Sequence, residues 1–591
     1  MSSVDMVFEI CGSAGEGTIS AGEVMTRFLS SKGYEIVSFD AFPSEIRGFG
    51  KCVAHFRTST EKVLSPGKYT DVLIALNDAH AITQLPKLRK NGVLIYDSKP
   101  PVYHEEDKSI AGWAEPGITA YGIPMLELAN KAAGNAKGRN MVAMGAVAAL
   151  FLIEPEEMKA FIENRYKGKK QKIVDSNINS FSFGYDWTKR HILKEDPYTF
   201  EGAKPSPPEG EKMIMNGNEA VAMAAMDSGI RLYAGYPITP ATKIMEIISK
   251  RMGEEGGVMI QTEDEISAAG NVVGAGFAGK RAMTATSGPG FALMCEMINL
   301  AVMAEVPAVI VNSQRGGPST GLPTKMEQSD LNTAVFGGTG DSPRVVLAPR
   351  DVTDCYRCTC QAFYLAERYQ TPVVLLLDFY LSNSIRNVDK PIPPPEEMLF
   401  ANVFPNDEEL DEYERFKVTE SGISPRTLPG TPYGMFVATG LEHNGFGKPV
   451  YDGANHLTMT EKRFRKFVTM KPDLPVVQES GTEGEVEVGI ISWGSSSGAA
   501  EEAVSSWMKK GHRIASFHSS VIYPLPQEEL RRFSQRCKTL VVAELNHTGQ
   551  YANLIAPILN REVQRINMIT GLPMASEDIL ETIGRLKPEQ A

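Results

Sequence analysis

The sequence predicts an α/β fold with mainly parallel sheets, arranged in three blocks, and three observations carry that prediction. Short β-rich runs alternate with stretches of helical period over most of the chain. Several strand ends run into glycine- or proline-bearing turns that open a helix, as βαβ units do. Two polar, proline-containing connections divide the 591 residues into pieces near the usual size of a domain.

The first block, 1–194, carries the runs MVFEICG, EIVSFDAF, VAHFRTS, DVLIALN and GVLIYDS, and its period turns helical from Glu127 to Lys167. Residues 195–212 follow as EDPYTFEGAKPSPPEGEK; five acids and four prolines cannot build a core, so this stretch reads as a linker. The second block, 213–390, has RLYAGYP, GVMIQ, RAMTATS, AVIVNSQ and PVVLLLD separated by helical stretches. A connecting segment, 391–482, opens on PIPPPEE and stays mostly polar. The third block, 483–591, repeats the alternation with VEVGIISWG, RIASFHSSV, TLVVAELN and RINMITG.

Composition narrows the function classes. Hydrophobic residues at 42% and charged residues at 22% are ordinary for a globular protein. A net charge of −12 without a run of Lys and Arg argues against nucleic acid or an anionic membrane as partner. Seven scattered cysteines read as reduced thiols. The start, MSSVDMVFEICGS, lacks a signal peptide's basic and apolar parts. The longest apolar stretch, Met141 to Ile153, is too short to span a bilayer. A soluble cytoplasmic protein is expected.

The motifs each admit a structural and a chemical reading. Gly12-Ser-Ala-Gly15-Glu-Gly17 follows a strand and opens a helix, where backbone N–H groups and the helix dipole hold phosphates; a tight strand-to-helix turn without a ligand is the default reading. Its spacing is not that of the dinucleotide fingerprint. Arg47, beside Gly48, either approaches an anion or is an exposed loop residue. In the second block, RLYAG leads into Tyr236-Pro237-Ile-Thr239-Pro240. Thr239 fits an N-cap with Pro240 at the first helical position, and it also fits a ligand hydroxyl at the carboxyl end of a parallel strand. Glu263-Asp-Glu265 opens a helix that turns small and apolar, which the helix dipole alone would favour. RAMTATS ends in Ser287-Gly288-Pro289-Gly290, a tight turn. Arg315 begins a glycine-rich loop that carries Thr324 and Lys325. Its planar fork either grips a carboxylate or ties the loop down. Cys355, Cys358 and Cys360 share one helical stretch at a spacing that does not aim all three at one metal. His443, Asn444 and His547 sit in loop contexts where a structural role is the default. GIISWGSSSG sets serines at a strand end without a placed base, so a hydrolase is not expected.

Taken in order, six segments resemble the alpha subunit of the 2-oxoacid:ferredoxin oxidoreductases, with that family's gamma domain fused at the N-terminus. They are YPITP at 236–240, EDEISAAGNVVGAGFAG at 263–279, TSGPG at 286–290, RGGPSTGLPTK at 315–325, TGLEHNGFG at 439–447 and ELNHTGQ at 544–550. The resemblance covers nearly the whole chain and is nearest to the 2-oxoglutarate:ferredoxin oxidoreductases. It implies a gamma-type domain in 1–194, a pyrimidine-binding domain of thiamine diphosphate enzymes in 213–390, and a transketolase C-terminal-like domain in 483–591.

What else follows is implied by that resemblance alone. Thiamine diphosphate is the cofactor, and a glutamate nine residues before a helix glycine hydrogen-bonds its aminopyrimidine ring; Glu265, before Gly274, fits, with Glu263 in reserve. Arg315 binds the 2-oxoacid carboxylate, Thr239 assists at the substrate, and Thr324 is a neighbour on the same loop. Tyr236, Pro237, Ser287 and Gly288 contact the cofactor. Gly12, Gly15, Gly17 and Arg47 either touch coenzyme A or only buttress the assembly. The chain lacks a Gly-Asp-Gly metal segment, the nearest being Gly340-Asp341-Ser342, and lacks cluster-binding C-x-x-C-x-x-C runs. Mg2+ and a [4Fe-4S] cluster are therefore expected on a beta subunit that completes the site, without which the chain is inactive. The expected assembly is (alpha-beta)2 with ferredoxin as electron partner. The expected reaction turns 2-oxoglutarate, coenzyme A and oxidised ferredoxin into succinyl-CoA, CO2 and reduced ferredoxin, in either direction. Pyruvate, branched-chain 2-oxoacids and a non-redox thiamine transferase stay open as alternatives.

Overall fold

The structure, a computed structural model, describes residues 3–42, 50–99, 109–205 and 212–586. Its contacts divide the chain into two compact units. One comprises Met1–Ile214, Ser384–Lys390 and Ala575–Asp578; the other comprises Met215–Asn383, Pro391–Met574 and Ile579–Ala591.

The first unit is built on an eight-stranded sheet in the order Thr119–Ile123, Leu88–Asp97, Thr70–Ala75, Asp5–Ser13, Lys51–Ser59, Glu35–Ala41, Ile385–Asp389 and Lys212–Met215. The first four strands run parallel. Lys51–Ser59 instead lies antiparallel between Asp5–Ser13 and Glu35–Ala41, so this half of the sheet departs from the βαβ order. The connection explains it: only 42–50 joins Glu35–Ala41 to Lys51–Ser59, and a parallel crossover needs a dozen or more residues.

The apolar stretch noted at Met141 to Ile153 is core. Helix Arg139–Leu150 is buried on nearly every side, and among the described residues no helix is long and apolar enough to cross a membrane. It packs on helix Gln171–His191 with the backbones unusually close. A Cβ on Gly184 would run into the Val142 carbonyl, and one on Gly145 into the Phe181 carbonyl. Because those obstacles are backbone, the helices must part to admit a methyl group. Gly184→Ala is therefore expected to destabilise the chain by roughly 1–3 kcal/mol, read as a lower melting transition; unchanged melting would show that the helices yield freely.

The second unit contains two sheets. The larger has seven strands in the order Val521–Tyr523, Val345–Leu347, Pro372–Asp378, Ala308–Gln314, Ala282–Thr286, Leu232–Gly235 and Val258–Gln261. All are parallel except Val521–Tyr523, which comes from the third block and pairs antiparallel at the edge. The smaller orders Gln478–Gly481, Ile514–His518, Val486–Ser492, Cys537–Glu544 and Gln564–Asn567, with only the first strand antiparallel. One apolar core serves both sheets, with Phe291 and Ile310 from the second block beside Trp493, Phe517 and Tyr551 from the third.

The connecting segment is mostly irregular and is anchored through helix Gly453–Thr469. Lys462 Nζ lies 2.5 Å from one oxygen of the buried Glu305 carboxylate, and Lys466 Nζ lies 2.6 Å from the other. Arg415 donates to the Glu305 backbone carbonyl at 2.7 Å. Burial pushes the Glu305 carboxyl up, but Lys462, Lys466 and Arg415 together hold it well below the usual carboxylate range.

Candidate active site

In the large sheet, Leu232–Gly235 lies between its sequence successor, Val258–Gln261, and Ala282–Thr286. Strand order reverses there, and the crevice outside the carboxyl ends at such a point is where open α/β sheets bind ligands. Three neighbouring strands deliver the motif residues to it. Leu232–Gly235 runs into Tyr236 to Pro240, Ala282–Thr286 into Ser287 and Gly288, and Ala308–Gln314 into Arg315.

Thr239 is not an N-cap. The following helix is Thr242–Arg251, with Ala241 at its N-cap. The chain makes one further turn first, and the Asn218 amide holds the Pro240 carbonyl at 3.1 Å. Thr239 instead meets Arg315: Arg315 Nη1 donates to the Thr239 carbonyl oxygen at 2.9 Å. The Arg315 side chain is buried, and its Nε–H has no hydrogen-bond partner among the described residues. Burial lowers the guanidinium's pKa, while Asp330 and Glu265 act to raise it. Asp330 is itself pushed up by burial, with an Asn312 amide bond at 3.0 Å opposing.

Glu265 is the first residue of helix Glu265–Phe277, whose N-cap Asp264 accepts the Ser267 N–H. The helix turns Ala268, Ala269 and Val272 into the core, so the same rotation buries Glu265 at 6% exposure while Glu263 stays outside. Its carboxylate reaches the TSGPG turn, where a Cβ on Gly290 would strike both Glu265 and Thr286. Gly290 thus leaves the space the carboxylate occupies. The Ser287 hydroxyl is buried without a partner among the described residues. Tyr236 is exposed, and Thr324, on the Arg315 loop, is buried.

A cavity of about 530 Å³ opens at this edge. Gly288, Arg315, Ser319 and Asp330 line it from the second block, and Asn546 and His547 from the third. The two sides are stapled together. Gln328, wholly buried, accepts the Leu545 N–H and donates to the Trp493 carbonyl, each at 3.0 Å. Gln550 donates to the Ser329 carbonyl at 2.7 Å. Beneath, the buried Glu544 carboxylate takes the Asn546 amide and the Tyr551 and Ala552 N–H groups, which sets the shape of the ELNHTGQ loop. Sequence reasoning assigned neither His547 nor Asp330 to this cavity. The only available signal was that ELNHTGQ, like RGGP, follows the carboxyl end of a strand. His443, by contrast, is buried against Phe416 with Nδ1 on the Leu441 carbonyl, a packing role.

The first block's glycine turn is occupied by its own side chains. Glu16 accepts the Ser13 N–H at 2.6 Å, and the Asn140 amide donates to the carbonyl of Gly17, at φ +80°, where a Cβ would strike that amide. A Cβ on Gly12 would strike Thr18, whereas Gly15 faces open space; Arg47 lies outside the described residues. Cys355, Cys358 and Cys360 are buried in helix Val352–Tyr369, and none forms a disulfide. Among the described residues no cluster of three or more His, Cys, Asp or Glu is placed to hold a metal.

Known proteins match this layout along the chain. The descriptions "Pyruvate ferredoxin/flavodoxin oxidoreductase", "Pyruvate flavodoxin/ferredoxin oxidoreductase, thiamine diP-bdg" and "Pyruvate:ferredoxin oxidoreductase core domain II" match residues 8–187, 223–462 and 486–579 in turn. The 2-oxoglutarate oxidoreductase subunit KorA of Mycobacterium tuberculosis is 31% identical across 97% of this chain and 90% of its own. The 2-oxoacid:ferredoxin oxidoreductase 2, subunit alpha, of Aeropyrum pernix is 28% identical across 99% and 98%. Among solved structures, the 2-oxoglutarate:ferredoxin oxidoreductase from Magnetococcus marinus with 2-oxoglutarate, coenzyme A and succinyl-CoA bound superposes with a TM-score of 0.91 at 36% identity, over 98% of this chain and 99% of that one. With these matches running through all three blocks, the chain belongs to the 2-oxoacid:ferredoxin oxidoreductases, as an alpha subunit with the gamma domain at its N-terminus.

Proposed function

We propose that this subunit takes part in the coenzyme A-dependent oxidation of 2-oxoglutarate to succinyl-CoA and CO2, two electrons passing to ferredoxin, with the reverse carboxylation open to the same site. The observation that carries the reading is the buried Arg315, held on the Thr239 carbonyl beside Glu265 at the strand-order reversal. The substrate choice follows the Magnetococcus marinus and Mycobacterium tuberculosis relatives.

Thiamine diphosphate fits the residues present. Its aminopyrimidine needs a carboxylate shielded from water, and Glu265 is buried beside a glycine that leaves room. The Ser287 hydroxyl, without a partner among the described residues, and the Gly288 backbone adjoin that place. Tyr236 and Pro237 flank it on the neighbouring strand end. When bound, the cofactor supplies the electron sink for decarboxylation. Glu265 holds a proton at the aminopyrimidine nitrogen. Arg315 orients the 2-oxoacid by its carboxylate, with two donors in one plane. Its bond to the Thr239 carbonyl fixes the guanidinium's rotation, and Thr239 and Thr324 shape the substrate's surroundings. Burial of these groups strengthens each electrostatic contact relative to water.

A beta subunit is proposed to bring the diphosphate site, Mg2+ and a [4Fe-4S] cluster, in an (alpha-beta)2 assembly that works in the cytoplasm. The test is viologen reduction by the complex, with the chain alone as control, on 2-oxoglutarate, pyruvate and 2-oxoisovalerate. Coenzyme A-dependent reduction by the complex alone, fastest on 2-oxoglutarate, is expected. No reduction by a complex that carries thiamine diphosphate and its cluster would refute the redox reading.

Arg315→Lys gives a sharper check on the carboxylate role. Lysine keeps the charge but loses the planar fork, so kcat/KM should fall by about 30- to 100-fold, the worth of one charge-assisted hydrogen bond. Steady-state kinetics on the complex would reveal it, and wild-type kcat/KM would remove Arg315 from substrate binding.

A further inference from the structure

The smaller sheet of the second unit holds another polar constellation, and none of its residues line the Arg315 cavity. Strands Val486–Ser492 and Ile514–His518 are parallel neighbours with Ser492 and His518 in register at their carboxyl ends. Helix Ser496–Met508 follows the first of them and carries Ser497 in its opening turn. Ser497 Oγ lies 2.6 Å from His518 Nδ1. The other ring nitrogen, Nε2, lies 3.3 Å from Ser520 Oγ. Ser520 donates to Asp354 Oδ2 at 2.7 Å, and that oxygen also accepts the Arg350 N–H at 3.1 Å. All four side chains are buried.

The direction of this relay follows from proton counting. A hydroxyl has one proton, and Ser520 gives it to Asp354. With Asp354 ionised, Ser520 accepts from His518 Nε2–H, and that tautomer sets the Nδ1 lone pair against the Ser497 hydroxyl, with the Ser492 backbone as the ring's further neighbour. A hydroxyl, a base and a carboxylate that orients the base through one further hydroxyl form the arrangement of an activated nucleophile. The serines of GIISWGSSSG have no base near them in sequence; strand register supplies one from 21 residues away.

A cavity of about 130 Å³ adjoins the relay, and Ser480, Ser492, Ser497, Ser516, His518 and Arg350 are among its lining. The charges around it are compensated: Arg350 pairs with Asp351 and Glu501, and Glu479 with Arg536. Such a space suits a guest of a few heavy atoms without net charge.

We propose that Ser497 is a base-assisted nucleophile in a second site of this chain, one that accepts a small uncharged acyl or sulfonyl group from an activated donor. Ser497 Oγ forms the new bond to the donor's acyl carbon or sulfonyl sulfur, and its proton passes to His518 Nδ1. The donor's leaving group departs with its bonding pair and takes that proton, so the base is restored and no oxidation state changes. Burial and Arg350 push the His518 pKa down to about 3, with Asp351 and a bond to the Ser492 backbone opposing; Asp354, its carboxyl raised by burial, the Cys358 thiol beside Asp354 and Ser520, and Arg357 face the relay, and Glu501 and Glu479 face its cavity. The imidazole is thus already unprotonated at mildly acid pH. Reactivity should stay level between about pH 5 and pH 8, where an ordinary histidine would give an inflection.

The test is labelling of the full chain in its native assembly with methanesulfonyl fluoride, with peptide mass spectrometry locating the adduct. Labelling at Ser497, in preference to Ser495 and Ser496, is expected. His518→Asn keeps a hydrogen-bonding group beside Ser497 but cannot take its proton, and should slow labelling by about 100-fold. Ser520→Ala, which cuts the link to Asp354, should slow it by a smaller factor. Retained viologen reduction reports that each variant is folded. No Ser497 adduct in the native assembly, equal rates in His518→Asn, or an inflection near neutral pH would each overturn the proposal.

Discussion

Glu265→Gln should lower coenzyme A-dependent 2-oxoacid oxidation by about 1,000-fold, with the complex still assembled and its melting unchanged. The side chain is buried at the start of a helix and reaches the TSGPG turn, where Gly290 leaves it room. Glutamine fills the same volume, so the fold has no reason to respond. What the amide loses is the ability to hold and release a proton at a nitrogen base. An effect on kcat with little change in KM would mark an interaction made in the reacting state rather than in binding. The control is Glu263→Gln, two residues earlier and exposed to solvent, which should leave turnover intact. If Glu265→Gln kept wild-type turnover and Glu263→Gln lost it, the proton-holding role would pass to Glu263.

Glu305→Gln should destabilise the chain by about 3–5 kcal/mol, the cost of breaking a buried ion pair from one side. Two ammonium groups point at opposite oxygens of the Glu305 carboxylate, and both lysines are buried. Glutamine offers one acceptor and one NH2, so a donor would face a donor while two cations share no anion. Differential scanning calorimetry of the wild-type and variant complexes would show a clearly lower transition. Adding Lys462→Met should recover part of the loss by removing one stranded cation, a coupling that a double-mutant cycle isolates. Equal melting of Glu305→Gln and wild type would mean that water reaches the cluster.

Local features of the fold and of the site were legible in the sequence because their causes are local. The β-rich runs became strands, and the glycine-bearing turns became the strand ends that carry Arg315, Ser287 and Gly288. The burial of Glu265 follows from its position on the apolar side of its own helix. Illegible features depend on long-range pairing. Gln328 meets Asn546 across 218 residues, Lys462 meets Glu305 across 157, and no periodicity encodes either. Thr239 and Pro240 read as a helix start because an N-cap pattern is a local preference, whereas the helix actually begins once the Asn218 amide has secured the Pro240 carbonyl. His518 could not be linked to Ser497 before the register of two parallel strands was known.

The strand that crosses from the third block to the edge of the large sheet bears on how the protein is made. Val345–Leu347 pairs on one side with Val521–Tyr523, which leaves the ribosome about 170 residues later. At roughly 5–20 residues per second, the nascent chain presents that open edge for on the order of ten to thirty seconds, together with the apolar surface that Trp493 and Tyr551 later cover. An unpaired, hydrophobic sheet edge is a template for joining other chains. Heterologous production should therefore suffer most from aggregates of incomplete chains, and slower synthesis at low temperature with chaperones in excess should raise the soluble yield more than any change to the finished protein's surface.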